Sequence, residues 1–188
     1  MRPKPSLAYT IDGADRLVEA NAVWSAAAEE AGALHLVASR VIGRSLWDFI
    51  GDATTRQLYA AILQRVRSGG QPISFDFRCD TPTRRRLFHM RITGRPTGRV
   101  AFDVAAVESQ DRPGVALLDP ALERGPETIR MCGWCKRVPL PAGEWVEIED
   151  AVPLLAVLDR VPPPAISHGM CPGCYDTISK ELDRAPVP

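Results

Sequence analysis

Two C-x-x-C pairs in the last third of the chain constrain its fold more than any other feature. They are Cys132-Gly-Trp-Cys135 and Cys171-Pro-Gly-Cys174, with 35 residues between them. A turn with two intervening residues lets both thiolates face one point, and two such turns supply the four ligands of a tetrahedral zinc ion. The pattern therefore predicts a zinc site, with the intervening segment folding back as a substructure of its own.

Other chemistries of paired cysteines stay open at this point. A redox-active dithiol is one, although neither pair lies in a thioredoxin-like βαβ pattern. An iron–sulfur cluster is another, because four thiolates also hold iron. Lys136 and Arg137 follow the first pair. Their charges do not discriminate, since they stabilise a reactive thiolate and a four-thiolate zinc site alike.

Two further residues bear on the ligand set. His168 lies three residues before Cys171, where it can replace a cysteine ligand, hydrogen-bond to a thiolate or simply face solvent. We leave it out of the predicted ligands. Cys79, the fifth cysteine, falls on the apolar side of a predicted strand and is expected to be an inert buried residue. The predicted metal ligands are Cys132, Cys135, Cys171 and Cys174.

The composition is that of a globular protein. The chain has 188 residues, of which 45% are hydrophobic and 24% charged, and its formal net charge is zero. No apolar run approaches the roughly 18 residues of a membrane helix. The start, Met1–Pro5, is not followed by the apolar region of a secretory signal. We therefore expect a soluble, cytoplasmic protein with no membrane partner.

The beginning of the chain predicts a hairpin and a helix. Leu7, Tyr9 and Ile11 alternate with small or polar residues, and Leu17–Ala20 is interpreted as a second strand after the turn residues Asp12–Asp15. Asn21 is a suitable N-cap for an alanine-rich helix over residues 22–31.

A longer helix and three strands are predicted next. An apolar residue at every fourth position predicts a helix over residues 54–67, with Asp52 or Thr54 as its cap. Alternation then predicts three strands between residues 73 and 104. Strands, helices and a meander in this order indicate an α+β domain with an antiparallel sheet. Its inner face, either a packed core or the lining of a small ligand cavity, would be Tyr9, Ile11, Phe75, Phe77, Phe88, Met90 and Phe102.

The rest of the chain is predicted to form a linker and a small module. Residues 110–128 lack periodicity and hold prolines and glycines typical of a linker. The module is expected to contain a hairpin of Met131–Val138 with Glu144–Ile148, a short helix over Val152–Leu158 and a last helix over 174–183. The predicted organisation is an α+β domain at 5–109, a linker at 110–128 and a four-cysteine zinc-binding module at 129–184.

Four phrases carry a resemblance to bacterial signalling proteins. Tyr9–Asn21 (YTIDGADRLVEAN) is similar to the opening hairpin of PAS sensor domains, and Gly43–Ile50 (GRSLWDFI) to a phrase that precedes a later PAS helix. This match covers residues 5–108. Met131–Lys136 (MCGWCK) and Ser167–Cys174 (SHGMCPGC) look like a zinc-ribbon-like module that follows sensor domains.

The resemblance implies a bacterial PAS-like protein that senses a ligand or a redox change and reports it by contact. It implies a protein partner, and a homodimer through the PAS-like domain, and it leaves open whether a small molecule occupies the cavity. Residues 22–70 lack the reactive cysteine of flavin photosensors, and residues 44–70 lack the histidine that often holds haem in PAS domains.

No catalytic motif accompanies these features. The sequence has no G-x-x-x-x-G-K-[ST] loop and no H-E-x-x-H motif, and a closed four-cysteine site leaves no open position for a reacting water. We therefore expect a non-catalytic regulatory protein. The alternatives are a thiol–disulfide switch that uses the cysteine pairs, or a nucleic-acid-binding regulator.

The nucleic-acid alternative depends on one arginine-rich segment. Residues 78–99 hold seven arginines against one acidic residue, Asp80, and Arg84–Arg86 is the densest run. In the cysteine module, however, acidic residues outnumber basic ones. Because phosphate binding needs a basic surface, nucleic acid is not the favoured partner.

Overall fold

The structure is a computed structural model that describes residues 6–184. The segment Met1–Pro5 and the predicted domain start at residue 5 lie outside the described residues. The chain divides into two compact units. Unit 1 comprises residues 6–75, 89–106 and 178–184, and unit 2 comprises residues 76–88 and 107–177.

Unit 1 begins with the predicted hairpin. Strand β1 (Leu7–Ile11) pairs antiparallel with β2 (Leu17–Ala20). The turn between them is closed by Asp12, whose Oδ1 accepts the backbone N–H groups of Ala14 and Arg16, each at 2.9 Å. An Asx residue that caps its own turn in this way favours the reversal of the chain.

Three α-helices follow the hairpin. They are α1 (Ala22–Glu30), α2 (Ala38–Val41) and α3 (Ala53–Arg67). Asn21 caps α1 by accepting from the backbone N–H of Trp24, and Asp52 caps α3 by accepting from that of Thr55. Both caps were predicted from sequence. Helix α3 buries one stripe of apolar side chains, Leu58, Ile62, Leu63 and Val66.

The strands form one five-stranded sheet. Strand β3 spans Ile73–Arg78, β4 spans Arg84–Gly94 and β5 spans Val100–Asp111. The order across the sheet is β2-β1-β5-β4-β3, and β1 pairs antiparallel with both β2 and β5. The prediction of an α+β fold with an antiparallel sheet is confirmed.

The core of unit 1 combines sheet and helix side chains. Tyr9 stacks on Phe102 with ring centroids 4.4 Å apart and meets Trp24 edge-on at 5.1 Å. Such pairs add to the apolar area that the rings bury. Burial raises the pKa of the Tyr9 and Tyr59 hydroxyls. The fully buried side chains include Ile11, Leu17, Ile62, Leu63, Ile73, Ile92 and Phe102.

Unit 2 contains two further small sheets. Strand β6 (Gly125–Cys132) pairs in parallel with β9 (Pro164–Gly169). Strands β7 (Val138–Pro139) and β8 (Trp145–Val146) form an antiparallel pair within the connection. A parallel pair requires a long crossover, which accounts for the distance between the two cysteine pairs. Helix α4 spans Ile148–Leu154 and helix α5 spans Pro172–Arg184.

The predicted linker takes part in the core of unit 2. Val115 and Leu117 are buried in one cluster with Met131, Val138, Ile148, Ala151 and Val157. The segment whose proline and glycine content predicted a linker therefore packs, in part, into the core of unit 2. The boundaries at residues 109 and 129 stay a prediction.

Three local predictions differ from the structure. The hairpin in the module is limited to β7 and β8, because β6 pairs with β9 instead. The short helix begins at Ile148 and ends at Leu154, so that each end lies four residues earlier than in the predicted helix Val152–Leu158. Cys79 is exposed, because β3 ends at Arg78 and the apolar alternation does not continue past it.

None of the helices in residues 6–184 combines the length and the apolar character that a membrane span requires.

Candidate metal centre

The parallel pair β6–β9 brings the two cysteine pairs together. Cys132 is the last residue of β6 and lies opposite Gly169, the last residue of β9. Parallel strands end at the same edge of a sheet. Cys171 follows two residues after Gly169, so the first cysteine of each pair leaves the sheet at the same place.

The first pair lies in a tight turn that ends at Lys136. The N–H of Lys136 donates to the carbonyl of Cys132 at 3.0 Å, and the N–H of Cys132 donates to the carbonyl of Arg137 at 2.8 Å. Lys136 has a φ of 65°, which reverses the chain after Cys135. The N–H of Gly133 donates to the carbonyl of Gly169 at 2.8 Å and fastens the turn to the end of β9.

The second pair lies at the start of α5. Pro172 is the first residue of the helix, a position where the missing N–H carries no cost. The sulfur of Cys171 accepts the backbone N–H of Cys174 at 3.4 Å, as a helix N-cap side chain does. The N–H of Cys171 in turn donates to the sulfur of Cys132 at 3.4 Å. Backbone N–H groups at a helix N-terminus stabilise thiolate charge.

The four sulfur atoms form a compact group. All lie within 4.8 Å of one another, and those of Cys135 and Cys171 are 3.6 Å apart. In a tetrahedron with metal–sulfur bonds near 2.3 Å, neighbouring sulfurs are about 3.8 Å apart. All four cysteines are free thiols, with Cys132 and Cys171 buried and the other two half-buried. The group could hold a metal ion.

Hydrogen bonds among Cys132, Cys135 and Cys174 shift the pKa values of these three thiols in different directions. Hydrogen bonds from Cys135 and Cys174 lower the pKa of the Cys132 thiol. The hydrogen bond to Cys132 raises the pKa of Cys135 to about 12, and hydrogen bonds to Cys132 and Cys135 raise that of Cys174. Since each new thiolate opposes the next, a fully ionised set requires a bound cation.

Two basic residues lie beside the first turn. Lys136 donates from Nζ to the carbonyl of Gly133 at 2.7 Å, and burial lowers its pKa. Arg137 donates to Glu147 at 3.0 Å, and this hydrogen bond raises its pKa. Their positive charges partly compensate the negative charge of the thiolates. Such compensation would stabilise a reactive thiolate and a four-thiolate metal site alike, so it does not distinguish between the two.

The two residues that the sequence set apart from the ligands also lie outside the sulfur group. His168 pairs with Met131 in the β6–β9 ladder and is exposed. Cys79 is exposed and receives a contact from Arg86, whose Nη2 lies 3.8 Å from its sulfur. The prediction that Cys79 is buried is wrong.

The arginine-rich run is largely engaged within unit 2. Arg84 forms an ion pair with Asp111 at 3.0 Å, and Arg85 with Glu147 at 2.8 Å. Arg86 donates from Nε to the carbonyl of Cys79 at 2.6 Å. Because carboxylates already neutralise two of these side chains, less of their charge is available to phosphates.

The sequence did not single out a buried ion-pair network next to the first turn. It consists of Arg78, Asp80, Arg112, Glu147 and Glu149. The side chains of Arg78 and Arg112 are each 7% exposed, and that of Asp80 is fully buried. Asp80 is a near neighbour of Arg78 in sequence, but its other carboxylate partners, Glu147 and Glu149, lie 69 and 71 residues further along the chain, where no local pattern connects them to Arg78.

A scan against protein-family models finds no match for this chain, and neither does a comparison with curated proteins. The argument for function therefore depends on the arrangement of the chain's own residues. In the part of the chain that the structure describes, the four-cysteine group is the arrangement with the most definite chemistry.

Proposed function

We propose that this chain is a non-catalytic, cytoplasmic regulatory protein of bacterial signalling. In this proposal a PAS-like domain senses a ligand or a redox change, and a module stabilised by one zinc ion carries the signal to a protein partner. The observation that carries the proposal is the group of four cysteine sulfurs within 4.8 Å of one another. The zinc-ribbon-like module would be held together by this site.

Zinc is the metal that the ligand set favours. Four thiolates in a tetrahedral arrangement are typical of structural zinc, and such closed sites contribute directly to folding. Cys132, Cys135, Cys171 and Cys174 would hold the ion. With four protein ligands no coordination position remains for a water or a substrate, so a structural role is favoured over metal catalysis.

The sensor part of the proposal is supported by the order of elements. Two strands, then helices, then three strands is the order on which the PAS-like resemblance is based. Buried aromatic rings, among them Tyr9 and Phe102, line the inner side of the sheet in unit 1. A dimer formed through this domain, and a small molecule held by it, are further parts of the same proposal.

Elemental analysis combined with a thiol count tests the metal part. Protein purified without chelator is expected to contain one zinc per chain. Four thiols should react only after chelation or denaturation, while the exposed Cys79 reacts at once. Protein without any metal, in which reduction increases the number of free thiols, would contradict the zinc proposal. Pull-down with the intact chain then tests for a protein partner.

A thiol–disulfide switch is the second candidate. It is favoured by the 3.6 Å distance between the sulfurs of Cys135 and Cys171, which is short enough for a disulfide to form after a small movement. The same thiol count distinguishes the two candidates. Titration against a thiol redox buffer would show a two-electron transition in a switch, and no such transition in a zinc-loaded site.

A further inference from the structure

Arg78 makes direct contact with the backbone of the first cysteine turn. Its own N–H donates to the carbonyl of Trp134 at 2.6 Å, and its Nη1 donates to the carbonyl of Cys135 at 3.1 Å. It is only 6% exposed. Arg78 therefore holds two consecutive carbonyls of the turn that presents Cys132 and Cys135, that of Trp134 through its backbone N–H and that of Cys135 through its guanidinium.

Carboxylates fix the guanidinium of Arg78 in this position. Asp80 receives Nε at 3.3 Å and also contacts Nη2, while Nη1 contacts Glu147. Asp80 itself accepts the backbone N–H of Arg86 at 3.0 Å and Nη1 of Arg112 at 3.1 Å. Because its counter-ion is itself held by a second arginine and a backbone N–H, the guanidinium has little freedom to move.

The same network also reaches the other end of the turn. Glu147 accepts Nε of Arg137 at 3.0 Å, and the carbonyl of Arg137 accepts the N–H of Cys132. The network thus contacts the end of the turn directly through Arg78, and reaches Cys132 through Arg137, whose side chain is held by Glu147. These contacts all lie within unit 2.

We propose that Arg78, with Asp80 as its counter-ion, is the positioning residue of the metal centre. It holds the first cysteine turn in the geometry of a bound ligand pair before the metal arrives. The inference rests on the proposed metal site and deepens it. Groups that orient metal ligands change metal affinity by about 10–100-fold when they are replaced.

The chemistry of the position calls for arginine. A guanidinium presents several N–H groups in a fixed plane, so one side chain can donate to a carbonyl and to two carboxylates together. Lysine supplies the charge without that plane. Arg78→Lys should therefore recover part of the affinity that Arg78→Met loses, which a role in packing alone would not produce.

The test measures zinc affinity by competition with a chromophoric chelator, and ligand geometry by the absorption spectrum of the cobalt-loaded protein. The wild type is compared with Arg78→Met and Arg78→Lys. We expect about 10–100-fold weaker zinc binding for Arg78→Met, a smaller loss for Arg78→Lys, and altered cobalt bands in both.

Two control variants separate positioning from general effects. Arg84→Met removes an exposed ion pair with Asp111, whose side chains are 58% and 81% exposed, and should leave affinity within twofold. Leu117→Ala destabilises the core of unit 2 without touching the turn. If Leu117→Ala weakens zinc binding as much as Arg78→Met does at equal loss of stability, Arg78 has no positioning role and the proposal is overturned.

The remaining outcomes are also decisive. Wild-type affinity and an unchanged cobalt spectrum in both Arg78 variants overturn the inference and leave the metal site standing. A wild-type protein that binds no zinc or cobalt overturns the proposed function as well. If Arg78→Met does not fold, the zinc affinities of Arg78→Lys and Asp80→Asn test the proposal instead. Both must lose affinity, and unchanged binding in both refutes the proposal.

Discussion

Cys132 lies directly opposite Gly169 in the parallel ladder of β6 and β9. This register places the first sulfur of one pair beside the chain that leads to Cys171, so that the N–H of Cys171 reaches the sulfur of Cys132 at 3.4 Å. A shift of one residue would turn Cys132 to the other face of the strand. The strand pairing therefore determines which sulfurs can meet.

Replacement of one ligand should abolish stable metal binding. Cys171→Ser removes a thiolate that is buried in the sulfur group. We expect a loss of zinc affinity greater than the about 10–100-fold that changes around a ligand set cause. A lower melting temperature should accompany it, because metal binding is coupled to folding. Cys79→Ser, outside the group, should retain one zinc per chain. Equal zinc content in both variants would exclude the predicted ligand set.

The side chain of Asn21 should contribute more than an ordinary helix cap. Its Oδ1 accepts N–H groups of both Trp24 and Ala8 at 3.1 Å, and its Nδ2 donates to the carbonyl of Ser6 at 2.8 Å. It therefore ties β1 to α1. We expect Asn21→Ala to cost about 2 kcal/mol, against about 1 kcal/mol for Asp52→Ala. Urea unfolding followed by circular dichroism measures the free energy of unfolding of both variants. An equal loss of stability in the two would argue against a role of Asn21 in connecting β1 to α1.

Gly94 should tolerate no side chain. A Cβ at this position would lie 2.0 Å from the carbonyl oxygen of Val66 in α3. We expect Gly94→Ala to cost about 1–3 kcal/mol through overpacking. Gly51 has no neighbour within 4 Å of such a Cβ, so Gly51→Ala should change stability by no more than about 0.5 kcal/mol. If both variants unfold at the same urea concentration, the close approach of β4 to α3 is absent.

The segment around Leu117 should behave as core. Leu117 is 1% exposed, and Leu117→Ala is expected to cost about 2–5 kcal/mol. Val107, which is 57% exposed, offers a control in the same unit, since Val107→Ala should cost less than about 0.5 kcal/mol. Thermal unfolding compares the two variants. A mild effect at Leu117 would support the linker that the sequence predicts.

The hairpin turn should lose stability in acid. Hydrogen bonds from the backbone N–H groups of Arg16 and Ala14 lower the pKa of Asp12 below its ordinary value of 3.8. An ionised Asp12 therefore stabilises the fold above the unfolded pKa, and this contribution disappears as the pH falls through the lower folded pKa. Carbon-13 NMR of the carboxyl group measures that pKa directly. Titration of Asp12 at or above 3.8 would contradict the turn geometry.

The conservative variant separates hydrogen bonding from charge at this turn. Asp12→Asn keeps an oxygen acceptor for Ala14 and Arg16 and removes the titrating group. It should lose the part of the acid dependence that Asp12 supplies and retain the hairpin at neutral pH.

Local patterns made much of unit 1 predictable. Alternation identified Leu7–Ile11, and the turn residues after it pointed to Leu17–Ala20 as its partner strand. The cap Asn21, and Asp52 as one of two candidates with Thr54, follow from the chemistry of an exposed helix N-terminus. The cysteine spacing was equally informative, because few residue types bind a metal with four sulfurs. These signals are all contained within a few residues of sequence.

Long-range features were not predictable. Strand β9 begins at Pro164 and pairs only with β6. The residue of β6 that pairs with Pro164 is Gly125, which lies almost forty residues earlier in the chain. Arg78 can be buried because it pairs with Glu147, which lies 69 residues further along the chain. The prediction that Cys79 is buried failed for a related reason, since β3 ends at Arg78, whose side chain pairs with those carboxylates. Burial of a charge depends on partners that periodicity does not reveal.

The parallel pairing of β6 with β9 also sets an order of events during synthesis. A nascent chain that has left the ribosome only as far as Gly169 contains one cysteine pair and cannot form a four-sulfur site. Contacts between distant segments form late, since the intervening loop must close first. A metal ion bound here could therefore add its full stabilisation only after Cys171 and Cys174 have been synthesised.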